Sequence, residues 1–308
     1  MSNLKQIAMR VFLMSCKDMM VKYNNKISVV LPAKNESGAI GQTVAKIKQL
    51  NVTDEIIVVN DGSTDETREV AERAGAKVVS HPYSKGNGAA IKTGARTATG
   101  DVIIFMDADG QHDPNDIPRL IEKIEQGYDL VVGARQKGSQ ASIGRGVANS
   151  LYNNLATYMT EHKVKDLTSG FRAVRAEKFR EFLYLLPNGF SYPTTSTMAF
   201  FRAGYSVAYV PIHAAKRIGK SHIHPIKDGV RFFLIIFKIA TLFSPLKMFL
   251  PIAVILFLMA TGWYGYTLYE YHRFTNMSAL LYTGSIMIFL MGLISEQVTA
   301  LMYKDNQI

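Results

Sequence analysis

The sequence predicts an α/β domain, a mostly parallel sheet with helices on both faces, followed by a tail that enters a membrane. Three observations carry that reading. Short β-branched runs alternate with helix-like segments through most of the 308 residues. Polar and acidic residues gather just after several of those runs, and two stretches near the C-terminus, 248–268 and 278–295, contain no charged residue.

Residues 1–25 place Leu4, Ile7, Ala8, Val11 and Phe12 at helical spacing among Lys5, Arg10, Lys17 and Lys22, which predicts an amphipathic helix. It lacks the unbroken apolar stretch and small-residue cleavage site of a secretory signal. Apolar runs then follow at residues 27–31, 55–59, 76–80, 102–106 and 130–132. Runs of this length suit strands buried on both faces. Between them lie helical segments such as 63–74, where Ser63 and Glu66 have capping-box spacing. Strand and helix in repeated alternation mean a parallel sheet, whose ligands bind at the carboxyl ends of the strands.

The residues at those ends are Pro32, Ala33, Lys34, Asn35 and Glu36 after the first run, Asn60, Asp61, Gly62 and Ser63 after the second, and Asp107, Ala108, Asp109, Gly110 and Gln111 after the fourth. One such junction is an ordinary turn. Three on one edge point to a site. Asp107 and Asp109, one residue apart at a strand end, can both turn toward a hard divalent cation that keeps phosphate oxygens or water in its shell. The segment Lys85-Gly86-Asn87-Gly88 opens a helix, and its glycines are expected to let backbone N–H groups approach a phosphate. The spacing is not that of a Walker loop, and no Gly-x-Gly-x-x-Gly follows the first strand, which disfavours kinases, ATPases and nicotinamide enzymes.

Composition narrows the partners. Cys16 is the single cysteine, so no internal disulfide forms. A net charge of +10 calls for anionic partners, and without interleaved aromatic and basic residues nucleic acid is not among them.

Leu31-Pro32-Ala33-Lys34-Asn35-Glu36, Val59-Asn60-Asp61-Gly62-Ser63-Thr64-Asp65, Lys85-Gly86-Asn87-Gly88 and Asp107-Ala108-Asp109-Gly110-Gln111 together resemble the inverting family-2 glycosyltransferases of GT-A fold, a Rossmann-like mixed sheet. Within the family they most resemble the polyprenyl-phosphate branch, which includes dolichol-phosphate mannose synthase and the bacterial undecaprenyl-phosphate sugar transferases. The resemblance runs from about Lys26 to Ser221 and continues into the tail. It implies transfer of a sugar from a UDP- or GDP-sugar to dolichyl or undecaprenyl phosphate with Mg2+ or Mn2+. It assigns donor binding to Pro32, Ala33, Asn35, Glu36, Asp61, Lys85, Gly88, Asp107, Ala108, Asp109 and Gln111, with Asp61 accepting from a base N–H. Asp107, Asp109 and Gln111 match the metal site, and Asp107, Asp109 and Asp166 the catalytic acids. Arg135, Arg145, Ser169, Arg172, Arg217 and Lys220 match the acceptor side. Asp166 orients the sugar, serves as a base or caps the turn at Thr168 and Ser169. Processive relatives carry a Gln-x-x-Arg-Trp segment; here the only tryptophan, Trp263, lies in an expected span.

Charge also shapes the tail. Lys227, Arg231 and Lys238 fall within about 40° on a helical wheel at 100° per residue, so residues 224–244 are expected to lie in the interface. The membrane helices occupy residues 245–303, leaving 304–308 as a tail, and the first domain covers 26–223. Basic residues flank that domain against Arg273 alone in the short connection, which puts the domain and both termini in the cytosol, at a bacterial or archaeal plasma membrane or the endoplasmic reticulum. Glu296 is expected to snorkel or to pair with a base of the interfacial helix. Oligomers are common among such relatives, and no feature here fixes a number. Two other functions fit the same motifs: transfer to a lipid hydroxyl such as diacylglycerol, which needs a base, or nucleotide-sugar binding without catalysis.

Overall fold

The computed structural model describes residues 24–136, 143–189, 191–213, 237, 241 and 243–304. The helices expected over 1–25 and 224–244 lie almost wholly outside them. The chain divides into two compact units, one from the described residues of Met1–Ser150 and Lys165–Gly219, the other from those of Leu151–Val164 and Lys220–Ile308.

The first unit alternates as the apolar runs require: β1 (Ile27–Ala33), α1 (Ile40–Gln49), β2 (Glu55–Asn60), α2 (Thr67–Arg73), β3 (Lys77–Ser80), α3 (Asn87–Thr97), β4 (Val102–Phe105), α4 (Ile117–Glu125) and β5 (Leu130–Arg135). After α5 (Ile143–Thr160) come β6 (Arg172–Arg175), α6 (Ala176–Arg180), α7 (Tyr192–Arg202) and β7 (Val207–Ile212). The seven strands lie in the order β3-β2-β1-β4-β6-β5-β7. Only β6 runs against its neighbours, pairing antiparallel with β4 and β5.

Alternation along β1 explains helices on both faces. Val29 and Leu31 join Ile40, Val44 and Ile47 of α1 and Ile117, Leu120, Ile121 and Ile124 of α4 in one buried core. Val30 points the other way, against α3, where a methyl group on Gly94 would come within 2.2 Å of its Cγ1. The run of small residues in α3, Gly88, Ala89, Ala90, Gly94 and Ala95, lets that helix sit close to the sheet.

The expected capping box does not form. Helix α2 starts at Thr67, so Ser63 lies too far upstream; its hydroxyl instead accepts from Asn35 N–H at 3.0 Å. Asp65 takes over at the helix start, accepting from Thr67 N–H at 3.1 Å.

In the second unit, residues 151–164 cluster with the C-terminal helices, although the sequence places them within an unbroken first domain. Lys247 explains the departure. Its ammonium meets Glu161 Oε1 at 2.5 Å and Met159 O at 3.3 Å, so a cation closes the carboxyl end of α5 where the helix dipole favours it. Helices α8 (Pro245–Tyr271) and α9 (Asn276–Lys304) form an antiparallel hairpin, and both are long and apolar enough to cross a membrane. Twenty-seven residues rise about 40 Å at 1.5 Å each, more than a hydrocarbon core of ~30 Å. Small residues, Ala253, Ala260, Ser278 and Ser285, are buried along the hairpin while Ile255, Leu258, Leu280 and Ile294 face outward. Ser285 Oγ donates to Ala253 O at 2.8 Å, as expected where lipid offers polar groups no other partner.

Glu296 contacts the start of α8. Ser244 does not cap that helix, and Pro245 removes one of the orphan donors; Leu246 N–H donates to Glu296 Oε2 across the hairpin at 3.2 Å. Glu296→Ala is therefore expected to destabilise the purified protein by about 1 kcal/mol, the usual loss for a helix cap, and Glu296→Gln by less. Thermal unfolding in detergent reads this directly; an alanine variant as stable as the natural sequence contradicts the assignment.

Candidate active site

The ends of β1 and β2 are laced together. Asn35, with a left-handed backbone (φ 56°), accepts from Thr64 N–H through Oδ1 at 2.9 Å, while Glu36 N–H donates to Thr67 Oγ1 at 2.9 Å and Ser37 N–H to Asp65 Oδ2 at 3.2 Å. Pro32 and Ala33 lie in the last turns of β1 beside Val59 and Asn60. The sequence-predicted donor residues of these two strands thus share one edge.

Asp61 is the hub of that edge. Its Oδ1 accepts from His81 Nδ1 at 2.7 Å and Lys85 N–H at 2.8 Å, and its Oδ2 from Ser84 Oγ at 2.8 Å and Gly86 N–H at 2.9 Å. A carboxylate only accepts, so His81 carries its proton on Nδ1 and faces Thr93 Oγ1 with Nε2 at 2.9 Å. Burial alone would push the Asp61 carboxyl up; the bonds from His81, Lys85, Ser84 and Gly86 overcome it and hold it at about 2. Hydrogen bonds to a charged group contribute roughly 1.5–3 kcal/mol each, enough in fours to offset a desolvation of several kcal/mol. The expected acceptance of a base N–H therefore meets a carboxylate already holding four donors. Asp61 visibly fixes the 81–86 loop.

The Lys85 to Gly88 segment differs from its sequence reading for the same reason. Lys85 and Gly86 give their N–H groups to Asp61, and those of Gly88 and Ala89 go to Gly189 O and Asn188 O, both at 3.0 Å. All four are taken by acceptors of the protein itself. Gly88 is required because an added methyl would meet Pro187 O at 2.0 Å. The segment is a joint on which the 186–189 loop sits, with Lys92 Nζ donating to Leu186 O at 3.1 Å. Cations remain at this edge: Lys34 Nζ donates to Ser84 Oγ at 3.0 Å, and Lys85 Nζ lies 5.7 Å from the centre of the Tyr83 ring.

Strand β4 delivers Asp107 and Asp109. Asp109 Oδ1 accepts from Gln111 N–H at 3.1 Å, so Gln111 contributes its backbone to that turn. Ala108 between them is buried. The Asp107 side chain is 37% exposed; its Oδ2 stands 3.5 Å from His112 Nε2, whose ring is buried and packs 5.3 Å from Phe171. His112 Nδ1 is buried and without a hydrogen-bond partner among the described residues. Opposite, Gly170 lies so close that a Cβ there would sit 2.7 Å from Asp107 Oδ2.

Asp166 is locked. Arg135 grips it with Nε at 2.8 Å and Nη2 at 3.0 Å, and Thr168 N–H donates to it at 3.1 Å. Burial would raise the Asp166 carboxyl, and the bonds and charge of Arg135 bring it below its ordinary value. Of the three roles open to it in the sequence, the turn cap is realised, together with an ion pair that the sequence did not suggest.

Arg172 departs furthest from expectation. It is completely buried, and its guanidinium is turned to the protein interior: Nη1 donates to Pro193 O, Ser196 Oγ and Thr197 Oγ1 and Nη2 to Ser169 O. Ser169 is 1% exposed, and its hydroxyl has no partner among the described residues. Arg145 lies in α5 with its side chain outside the described residues, and Arg217 and Lys220 lie outside them altogether. His81 and Tyr192 were missed, and His112, noted just beyond the acidic pair, was given no role. A lone histidine or tyrosine carries no spacing signal, though His112 directly follows Gln111.

A mixed sheet whose central parallel strand ends in an acidic pair is the arrangement of GT-A transferases, and a solved structure agrees. Glucosyl-3-phosphoglycerate synthase from Mycobacterium tuberculosis, in complex with Mn2+ and uridine-diphosphate-glucose, is similar to 70% of this chain and 78% of its own, with a TM-score of 0.56 and 26% identity. A family model, Glycosyl transferase family 2, matches residues 28–183, and a second, GtrB C-terminal hairpin, matches residues 244–301. The chain belongs to glycosyl transferase family 2. Undecaprenyl-phosphate 4-deoxy-4-formamido-L-arabinose transferase of Photorhabdus laumondii is 37% identical over 160 residues, 49% of this chain and 49% of that one. The chain thus spans about half the length of the first curated relatives it matches. Dolichyl-phosphate hexose transferase of Haloferax volcanii is 29% identical over 205 residues, 66% of this chain and 89% of that one.

The Asp61 hub has a pH signature. Its folded value of about 2 lies below the ordinary 3.8, so its stabilisation is complete above the unfolded value and is lost as pH falls through the folded one. The difference in thermal stability between the natural protein and Asp61→Asn is expected to be widest above about pH 4 and to shrink toward pH 2. A difference that stays constant across that interval contradicts it.

Proposed function

We propose that this chain transfers a sugar from a UDP- or GDP-sugar to a polyprenyl phosphate, dolichyl or undecaprenyl, at the cytosolic face of a membrane. The names of the relatives support the acceptor class, and the Mn2+ and UDP-glucose of the mycobacterial synthase support the donor and a divalent cation. The observation that carries the acceptor is the locked Asp166. A hydroxyl acceptor needs a base to take its proton. Asp166, the residue the sequence offers, is gripped by Arg135 and held below the usual carboxylate range, which makes it a poor base. A phosphate monoester arrives already anionic and needs none.

The residues at the end of β4 fit a cation shared with substrate. No group of three or more His, Cys, Asp or Glu able to hold a metal is found among the described residues, so Asp107 and Asp109 would supply part of a shell that donor phosphate oxygens complete. Bound there, Mg2+ or Mn2+ would neutralise charge on the departing nucleoside diphosphate. The protein's own part is orientation. Asp61 and the 186–189 joint fix the loops of the donor edge, and Arg135, its side chain 26% exposed, sets positive charge beside Asp107. Attack by the lipid phosphate from the face opposite the leaving group inverts the sugar carbon.

A hairpin of α8 and α9 would return the chain to the side from which it entered, and the basic flank supports the cytosol as that side. There the catalytic domain meets the lipid phosphate.

Asp107→Asn and Asp109→Asn are each expected to lower transfer by about 10² or more with the circular dichroism spectrum unchanged, and a chelator to do the same. Full activity in chelator overturns the cation. Gly170→Ala forces the Asp107 carboxylate aside, and because the atom it meets is a side-chain end, activity is expected to fall at least tenfold while the melting temperature moves by no more than a few degrees. A large melting shift with normal activity contradicts the role given to Gly170.

A further inference from the structure

Two buried polar side chains, Arg172 and Tyr192, stand behind the Ser169–Gly170 backbone that faces Asp107. Arg172 is fully buried and makes no ion pair with a described residue, an expensive state for a cation. Its guanidinium is anchored on α7 by Pro193 O at 2.9 Å, Ser196 Oγ at 2.7 Å and Thr197 Oγ1 at 3.2 Å, and reaches forward to Ser169 O. Tyr192, 1% exposed, donates its hydroxyl to Gly170 O at 3.0 Å. Its ring lies 5.5 Å from the Arg172 guanidinium and 6.2 Å from Phe105. Burial pushes the Tyr192 hydroxyl up, which keeps it a neutral donor.

Two consecutive carbonyls, those of Ser169 and Gly170, are thus held from the rear, while the front of Gly170 is the surface against which Asp107 rests. The wall has no slack on that side, since a single methyl group would come within 2.7 Å of Asp107 Oδ2. An apolar residue of similar size would fill the place of Arg172 without desolvating a charge. What it could not do is fix a carbonyl. Groups that orient a metal ligand commonly change its affinity by roughly 10–100-fold without touching the ion.

We infer that Arg172 and Tyr192 are positioning residues for the divalent cation, acting through the Ser169–Gly170 backbone on the Asp107 carboxylate. This rests on the cation-dependent transfer proposed above. The pair sets how tightly the ion is held. It does not enter the chemical step.

Tyr192→Phe removes one hydroxyl and leaves the ring packing on Phe105. With purified full-length protein and, in parallel samples, UDP or GDP, electron paramagnetic resonance of free Mn2+ is expected to show, with the nucleotide that supports binding, roughly tenfold weaker Mn2+ binding in this variant. The Mn2+ concentration for half-maximal transfer should rise by a similar factor, while kcat at saturating Mn2+ stays within about twofold of the natural value. Tyr205→Phe, which deletes a hydroxyl bonded to Glu181 elsewhere in the domain, controls for loss of a tyrosine hydroxyl and should leave Mn2+ binding unchanged. Arg172→Lys should weaken Mn2+ binding further, and if it does not fold, Ser196→Ala, which loosens the guanidinium anchor, replaces it with the same expected direction. Natural protein that binds Mn2+ with Tyr192→Phe binding it equally well, or with Tyr205→Phe weakened to the same degree, overturns the inference alone. Natural protein that binds no Mn2+ with either nucleotide overturns the cation reading and the inference with it.

Discussion

The site depends on one antiparallel strand. In a sheet whose other strands run together, every chain segment leading into a strand lies at the edge away from the ligands. Strand β6 reverses this, and its register, Arg172 opposite Phe105 on one side and Val132 on the other, carries the residues before it to the carboxyl ends of β4 and β5. Gly170 thereby comes against Asp107, and Asp166 comes within reach of Arg135. A shift of one residue would turn Arg172 out of the interior and separate both pairs.

Carboxylates at the edge divide by what their lone pairs meet. Asp61 and Asp166 accept from the protein itself, four donors in one case and an arginine fork with a turn N–H in the other, and both sit below the ordinary carboxylate range for that reason. They build the edge. Asp107 is partly open, with a histidine at the limit of contact on one side and a glycine on the other. The same functional group is therefore committed to the scaffold or left open to a ligand according to how many N–H groups converge on it.

Much of this was legible in the sequence. Five of the seven strands follow from β-branched runs; β1, β2, β4 and β5 are almost wholly buried and apolar for that reason, whereas β3 lies at the sheet edge with Lys77 and Ser80 exposed, and the acidic pair was recognisable because it closes the β4 run. Strand β6 was hidden: its four residues, Arg-Ala-Val-Arg, look exposed, and only the structure shows that Arg172 is wholly interior. Long-range partners were equally out of reach. Nothing in spacing pairs Arg135 with Asp166, Glu296 with Leu246 N–H, or Gly88 with Pro187 O, since each contact is made by topology. The glycines of the Lys85 to Gly88 segment were read as letting backbone N–H groups approach a phosphate; what approaches them in the structure is another loop of the same chain.

The central claim is that an anionic lipid attacks without a base from the protein. Its most direct test is transfer by the purified full-length chain from a panel of labelled UDP- and GDP-sugars, with undecaprenyl phosphate, undecaprenol and diacylglycerol compared in the same detergent and cation. The account predicts labelled product with the phosphate alone. Product with undecaprenol or diacylglycerol, and none with the phosphate, would contradict it.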